Sequence, residues 1–244
     1  MAQGVVAIIP ARYGSTRLPG KPLVSIAGRP LVQHVYERAS LSGAFDRVLV
    51  ATDDERVARR VREFGGEAVL TRGCHPSGTD RVAEVAEGLD AEIVVNVQGD
   101  LPFLGTEAFR VLLRTLREGD APMATVRARL VDRTEWERPD VVKVVTDSRD
   151  YALYFSRSPI PYQNGATVRA SRHVGLYAYR RAFLLELGRL EPTALELAEG
   201  LEQLRVLEHG YPIKVGQIDE VPVEVNTPED LELARRSAER ETRT

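Results

Sequence analysis

The chain has 244 residues, 43% of them hydrophobic and 28% charged, which is enough for one large α/β domain with a substantial core. Its net charge of −3 gives no basic footprint for nucleic acid, and its single cysteine, Cys74, excludes an intrachain disulfide framework or a multi-cysteine zinc site. No apolar run approaches the ~20 residues of a membrane helix, and no basic segment precedes the apolar N-terminal run, so a cytoplasmic chain with no membrane or nucleic-acid partner is expected.

Val5–Ile9 is a continuous β-branched and apolar run, the pattern of a strand buried on both faces. A loop punctuated by glycine and proline follows from Pro10 to Pro30, and then Leu31, Val32, Val35 and Ala39 recur at helical spacing. Val48–Ala51 reads as a strand, Asp54–Phe64 as a helix closed by Gly65-Gly66, and Glu67–Leu70 as a short strand. Thr79–Leu89 predicts a helix, Ile93–Val97 a second fully buried strand, and Thr106–Arg117 a helix with an N-cap threonine. This rhythm predicts a mostly parallel sheet with helices on both faces.

After Pro122 the rhythm changes. Met123–Leu130, Val141–Thr146 and Tyr151–Phe155 read as strands with no helix between them, and Gln163–Ser171 as a mobile polar loop. His173–Tyr179 reads as a strand, and Arg181–Leu190 and Leu195–His209 as helices. Ile213–Val215 and Val223–Val225 read as strands, and Thr227–Glu239 as a closing capped helix. The expectation is a single mixed-sheet domain over 1–244, with a smaller antiparallel lobe at about 122–180.

Three segments carry chemistry. Ala11 to Pro22, ARYGSTRLPGKP, leaves the end of the first strand, where open α/β sheets bind ligands. It gathers Arg12, Arg17 and Lys21 with two glycines and the hydroxyls of Ser15 and Thr16, a set suited to neutralising a triphosphate and departing pyrophosphate. A solvated basic turn is the other reading of such a loop. It is not a Walker loop, because five residues separate Gly14 from Gly20 and Pro22 stands where that motif needs a hydroxyl. The second segment, Asn96-Val97-Gln98-Gly99-Asp100, ends the second buried strand. It places a carboxylate where magnesium would meet an α-phosphate, or where a turn aspartate would simply cap the next segment. The third, His75 to Arg81 with Arg72 nearby, offers hydroxyls and amides to a base or ribose, or else forms a loop and helix N-cap.

Together these blocks resemble the nucleotide-sugar cytidylyltransferases, and among them the CMP-KDO synthetase (3-deoxy-manno-octulosonate cytidylyltransferase) family. The resemblance rests on IIPARYGSTRLPGKPL, ATDDERVA, TRGCHPSGTDRVAEV, VNVQGD, VVKVVTD, YALYFSRSPIPY, RHVGLYAYR, LELAEGLEQLRVLEHG and NTPEDLE, in that order along nearly the whole chain. It implies a Rossmann-like nucleotidyltransferase fold that joins CMP from CTP to 3-deoxy-D-manno-octulosonate (KDO) with release of pyrophosphate, in lipopolysaccharide synthesis. It implies Arg12, Ser15, Arg17 and Lys21 at the CTP phosphates, and Arg72, Ser77 and Gly78 at the cytosine. Gln98 and Asp100 fall at the base of the site. Arg157, His173, Tyr177, Glu202 and Gln203 fall in blocks lining the acid-sugar pocket, although His173 and Tyr177 also read as packed strand residues and Glu202 as a solvated helix face. Arg157 is chemically suited to fork a carboxylate. The resemblance further implies two magnesium ions, with Asp100 as a ligand, and a homodimer with Met123–Phe155 as its contact.

Two positions depart from the family. Leu101-Pro102 stands where the family has Glu-Pro, and Asn226 stands where it has the aspartate of an Asp-Thr-Pro-Glu-Asp block that supplies a second metal carboxylate. An asparagine still offers a carbonyl oxygen, but without charge. The loss of two negative charges either weakens the second metal or suits an acceptor more anionic than a sugar acid, such as a phosphonate; that acceptor, or separately amino-KDO, is the alternative to KDO. A non-catalytic nucleotide-binding homologue is a further one.

Overall fold

A computed structural model of the chain describes residues 4–15, 17–130, 132–164 and 171–241. Thr16 of the first loop and positions 165–170 of the expected polar loop lie outside the described residues. Contacts divide the chain into two compact units, Met1–Phe109 with Pro222–Thr244, and Arg110–Val221.

In the first unit, β1 (Val5–Pro10) pairs in parallel with β4 (Arg47–Thr52), which pairs in parallel with β5 (Glu67–Leu70). On its other edge β1 pairs in parallel with β6 (Ile93–Val97). Both β1 and β6 are buried almost throughout, as their unbroken apolar runs require. Helices α1 (Leu31–Leu41), α2 (Glu55–Glu63) and α3 (Gly78–Glu87) connect these strands. Helix α1 buries Leu31, Val32, Val35 and Ala39, the residues whose spacing predicts it. Helix α2 is capped by Asp54, whose side chain accepts from the Arg56 amide at 2.9 Å. The strand order β5-β4-β1-β6 reverses direction at β1, and right-handed crossovers then put α1 and α2 on one face and α3 on the other. The crevice beyond the ends of β1 and β6 is therefore the switch point at which such sheets bind ligands.

Structure corrects the expected loop from Pro10 to Pro30. It contains a 3-10 turn at Lys21–Leu23 and a two-stranded hairpin, β2 (Ser25–Ile26) and β3 (Arg29–Pro30). Ala27 and Gly28 both take positive φ, the backbone of a tight two-residue hairpin turn. Val223–Val225 is not a strand: the Val225 amide bonds to the Asp100 carbonyl at 2.9 Å instead of entering a ladder. Helix α9 (Pro228–Glu241) closes the chain.

Helix α4 (Thr106–Glu118) leads into the second unit, whose sheet is mainly antiparallel. Strand β7 (Met123–Arg129) pairs in parallel with β11 (Ile213–Ile218) and antiparallel with β10 (Ser171–Arg180). Strand β8 (Lys143–Thr146) pairs antiparallel with both β10 and β9 (Ala152–Ser156). Two expectations fail here. A short helix, α5 (Arg133–Glu137), interrupts the run of strands, because Asp132 caps it by accepting from the Thr134 amide at 2.8 Å. Leu195–His209 is two helices, α7 (Ala194–Glu199) and α8 (Gln203–Glu208), because Gly200 turns left-handed at φ 62 and ends the first. Helix α6 (Arg181–Leu187) precedes them.

Candidate active site

The first loop and the Gln98-Gly99-Asp100 turn meet through side chains. Lys21 Nζ donates to Asp100 Oδ2 at 2.9 Å and to Asn226 Oδ1 at 3.0 Å, although the three residues lie far apart in sequence. Each partner has its own reason to be there. The 3-10 turn that follows Gly20 lifts Lys21 out of the loop. Gly99 lets the turn after β6 lie on β1, since a Cβ there would meet the Pro10 carbonyl oxygen at 3.1 Å. The bond from Val225 to the Asp100 carbonyl brings Asn226 alongside. Asp230 then fixes the start of α9 by accepting from the Asn226 and Thr227 amides at 2.9 and 2.8 Å.

This arrangement decides which way the Asn226 amide faces. Lys21 is only a donor, so it takes Oδ1, and Nδ2 then faces Glu224 Oε2 at 3.5 Å. The Lys21–Asp100 pair is partly exposed, at 18% and 22% of the side chains, so it adds little stability. An ammonium held by two oxygens within 3.0 Å also marks a point where a hard cation finds donors. No group of three or more His, Cys, Asp or Glu suited to a metal occurs among the described residues. Two oxygen donors nevertheless fit magnesium, which keeps several waters and shares substrate phosphates.

Arg12 and Arg17 are exposed, and Ser15 accepts from the Leu18 amide at 3.4 Å. Leu101 is 1% exposed and belongs to the interior, so the departure there removes a carboxylate from a buried position. Asn96, at the end of β6, is fully buried, and its side-chain amide has no hydrogen-bond partner among the described residues. Such an unmet group costs ~1–3 kcal/mol.

In the third segment Ser77 caps α3, with its Oγ accepting from the Asp80 amide at 3.1 Å and donating to Asp80 Oδ2 at 2.8 Å. Its hydroxyl is thus committed to the helix. Gly78 packs on Pro10, where a Cβ would sit 3.4 Å from Cγ, so the helix starts beside the end of β1. Arg72 is 68% exposed, with its Nε 3.4 Å from Glu84 Oε2.

Within the second unit, His173, Tyr177 and Gln203 gather. Tyr177 donates to Gln203 Oε1 at 3.4 Å and its ring lies 5.3 Å from that of His173. Gln203 Nε2 is buried with no hydrogen-bond partner among the described residues. Glu202 precedes it at the N-cap of α8. Arg157 is occupied: its guanidinium donates to the carbonyls of Glu199 at 2.7 Å, Pro139 at 3.1 Å and Gly200 at 3.3 Å. Sequence reasoning missed Lys143, whose side chain is fully buried and donates to the carbonyls of Val141 at 2.6 Å, Arg138 at 2.9 Å and Arg157. Nothing in the VVKVV pattern distinguishes it from an outward-facing strand lysine.

His173 is 7% exposed, and burial, reinforced by the neighbouring Arg172 charge, lowers its pKa from 6.5 to about 3. Thr125 Oγ1 donates to the Leu176 carbonyl at 2.8 Å, so the His173 Nε2 contact at 2.9 Å has the imidazole as donor. The folded chain holds His173 neutral while the unfolded chain protonates it below 6.5. Protons therefore favour unfolding, and stability falls as pH drops from about 6.5 towards 3. Between pH 6.5 and 5 the expected loss is about 2 kcal/mol. Urea midpoints across that range should fall less steeply in His173→Gln than in the wild type.

The cytidylyltransferase family profile matches residues 6–218. This chain belongs to the cytidylyltransferase family. A 3-deoxy-manno-octulosonate cytidylyltransferase of Acaryochloris marina is 52% identical over 234 residues, which is 95% of this chain and 96% of that one. One from Syntrophotalea carbinolica is 48% identical over 238 residues, 93% and 95% of the two chains. Among solved structures, a CMP:2-keto-3-deoxy-manno-octonic acid synthetase complexed with CTP superposes with a TM-score of 0.93 at 45% identity, over 98% of this chain and 99% of that one. A 4-diphosphocytidyl-2C-methyl-D-erythritol synthase of Anaerococcus prevotii has a TM-score of 0.65 at 14% identity and shares the fold. As a cytidylyltransferase, the chain is a CTP-dependent nucleotidyltransferase with a mixed, mostly parallel α/β sheet. Among its described residues no helix is long and apolar enough to cross a membrane.

Proposed function

We propose that this cytidylyltransferase transfers CMP from CTP to KDO and releases pyrophosphate. The observation that carries the proposal is the convergence of Lys21, Asp100 and Asn226 beyond the ends of β1 and β6. The acceptor hydroxyl attacks the α-phosphorus in line and gives up its proton to solvent as the new P–O bond forms and the bond to pyrophosphate breaks. Arg12, Arg17 and Lys21 bind the triphosphate and neutralise charge on the leaving group, and Asp100 with Asn226 would hold magnesium. When bound, magnesium neutralises the α-phosphate and polarises the acceptor oxygen. The chain needs no covalent nucleophile, so positioning supplies the rest. The loop from Thr71 to Gly78 receives the cytosine, and Tyr177, Gln203 and Glu202 receive the sugar acid. Pyrophosphate release with CTP, magnesium and KDO tests the reading, and absence of release at any KDO concentration would refute it.

The enzyme acts as a homodimer through the antiparallel region. Leu153, 62% exposed on the edge strand β9, supports this contact. Light scattering is expected to report twice the chain mass at micromolar concentration, and a monomer would contradict it. The neutral Asn226 favours a second reading, a more anionic acceptor such as a phosphonate.

A further inference from the structure

We infer that Glu84 is a positioning residue for the nucleotide, holding the loop from Thr71 to Ser77 in its binding shape from the body of α3. The inference rests on the reading that this loop receives the cytosine of CTP.

One carboxylate gathers three donors from the loop. The Arg72 amide reaches Glu84 Oε2 at 3.2 Å and Oε1 at 3.3 Å, the Arg72 Nε lies 3.4 Å from Oε2, and the His75 ring nitrogen contacts Oε2 closely. Burial works against an ionised carboxylate at this position, but the bonds from His75 and Arg72 outweigh it and hold Glu84 below the ordinary carboxylate range. A neighbouring side chain grips the other flank. Arg81, 3% exposed, donates to the Thr71 hydroxyl and to the Arg72 carbonyl at 3.4 Å, and pairs with Asp53 at 3.4 Å. Arg81 and Glu84 lie one turn apart on α3, so they project from one face and straddle the loop.

The ends of the loop are tied by the Thr71 amide, which donates to the Thr52 carbonyl at 2.8 Å, and by the Ser77–Asp80 cap, but between them little else holds it. Arg72, Gly73, Cys74 and Pro76 are exposed, so it buries few apolar atoms, and it has no helix or strand of its own. Its shape therefore depends on these polar ties. Without them each residue regains backbone freedom, and CTP must then restore order when it binds. That cost falls on nucleotide affinity and base discrimination. It leaves alone the Lys21, Asp100 and Asn226 cluster, which is anchored by other bonds.

Steady-state kinetics of the enzyme with CTP, UTP and KDO test this with Glu84→Gln, which keeps the size of the side chain and removes its charge. The expected result is a CTP KM raised about tenfold and a narrower CTP preference over UTP. The kcat at saturating CTP and the KDO KM should stay within about twofold of wild type. Arg72→Ala separates the two ideas. If it leaves the CTP KM unchanged, the loop does not receive the nucleotide and the premise falls. If it raises the CTP KM while Glu84→Gln does not, the positioning role alone is overturned. A Glu84→Gln enzyme that loses kcat and KDO affinity as much as CTP affinity would also overturn it, because that marks a general structural role. Should Glu84→Gln melt below the assay temperature, His75→Phe, which removes one donor from the same carboxylate, carries the same expectations.

Discussion

Lys21→Ala is expected to lower turnover on the order of a hundredfold or more while leaving the fold intact. Removing a preorganised positive charge from a transferring phosphoryl group costs ~3 kcal/mol or more of transition-state stabilisation. The fold loses little, because the Lys21–Asp100 pair is partly exposed, and pairs of that kind are worth ~1 kcal/mol or less. Arg17→Ala should act in the same direction with still less effect on melting, since Arg17 is exposed. Kinetics at saturating CTP and thermal melting distinguish the two effects. Turnover close to wild type in either variant would remove the phosphate clamp. A large fall in melting temperature alongside lost activity would instead make Lys21 a structural residue.

The parts of this site legible in the sequence are those that depend on local pattern. Strands β1 and β6 are buried on both faces and so read as unbroken apolar runs, and the loops at their ends announce themselves by glycine and charge. Side chains that act across the fold left no such trace. Glu84 and Arg81 sit in TDRVAEV as ordinary helix charges, and only the packing of the loop reveals what they hold. Lys143 has no local mark because its partners are backbone carbonyls. Arg157 carries the right chemistry for a carboxylate fork, yet three carbonyls use it. The hairpin at Ala27-Gly28 was hidden because alanine rarely takes positive φ, so the usual turn dipeptides were missing. The break at Gly200 was masked by apolar helical spacing that runs on through both α7 and α8.

Asn226→Asp tests how the site manages its charge. Oδ1 of Asn226 accepts from Lys21 at 3.0 Å beside Asp100, so a new carboxylate would add a full negative charge at the point proposed for magnesium. At ~4 Å and an effective dielectric near 20, a pair of unit charges interacts by about 4 kcal/mol, and a dication by about twice that before water and counterions screen it. Two contacts oppose the gain, and one is the Lys21 ammonium, which already sits on Oδ1 at 3.0 Å and would compete with the ion for the new carboxylate. Nδ2 of Asn226 faces Glu224 Oε2 at 3.5 Å, and replacing that donor with an oxygen sets two carboxylates against each other. Attraction to a dication exceeds repulsion from a single negative charge at similar range. With KDO as acceptor, Asn226→Asp should therefore lower the magnesium concentration for half-maximal activity several-fold and raise turnover. Adding Glu224→Gln should enlarge the gain, because it removes the opposing charge and keeps the side-chain shape. A more highly charged acceptor such as a phosphonate reverses the sign, since the restored carboxylate repels it, and acceptor KM would rise while CTP affinity stays nearly constant. Magnesium titrations of the single and double variants with KDO decide the matter. An unchanged magnesium requirement in both variants would mean that position 226 does not hold the ion.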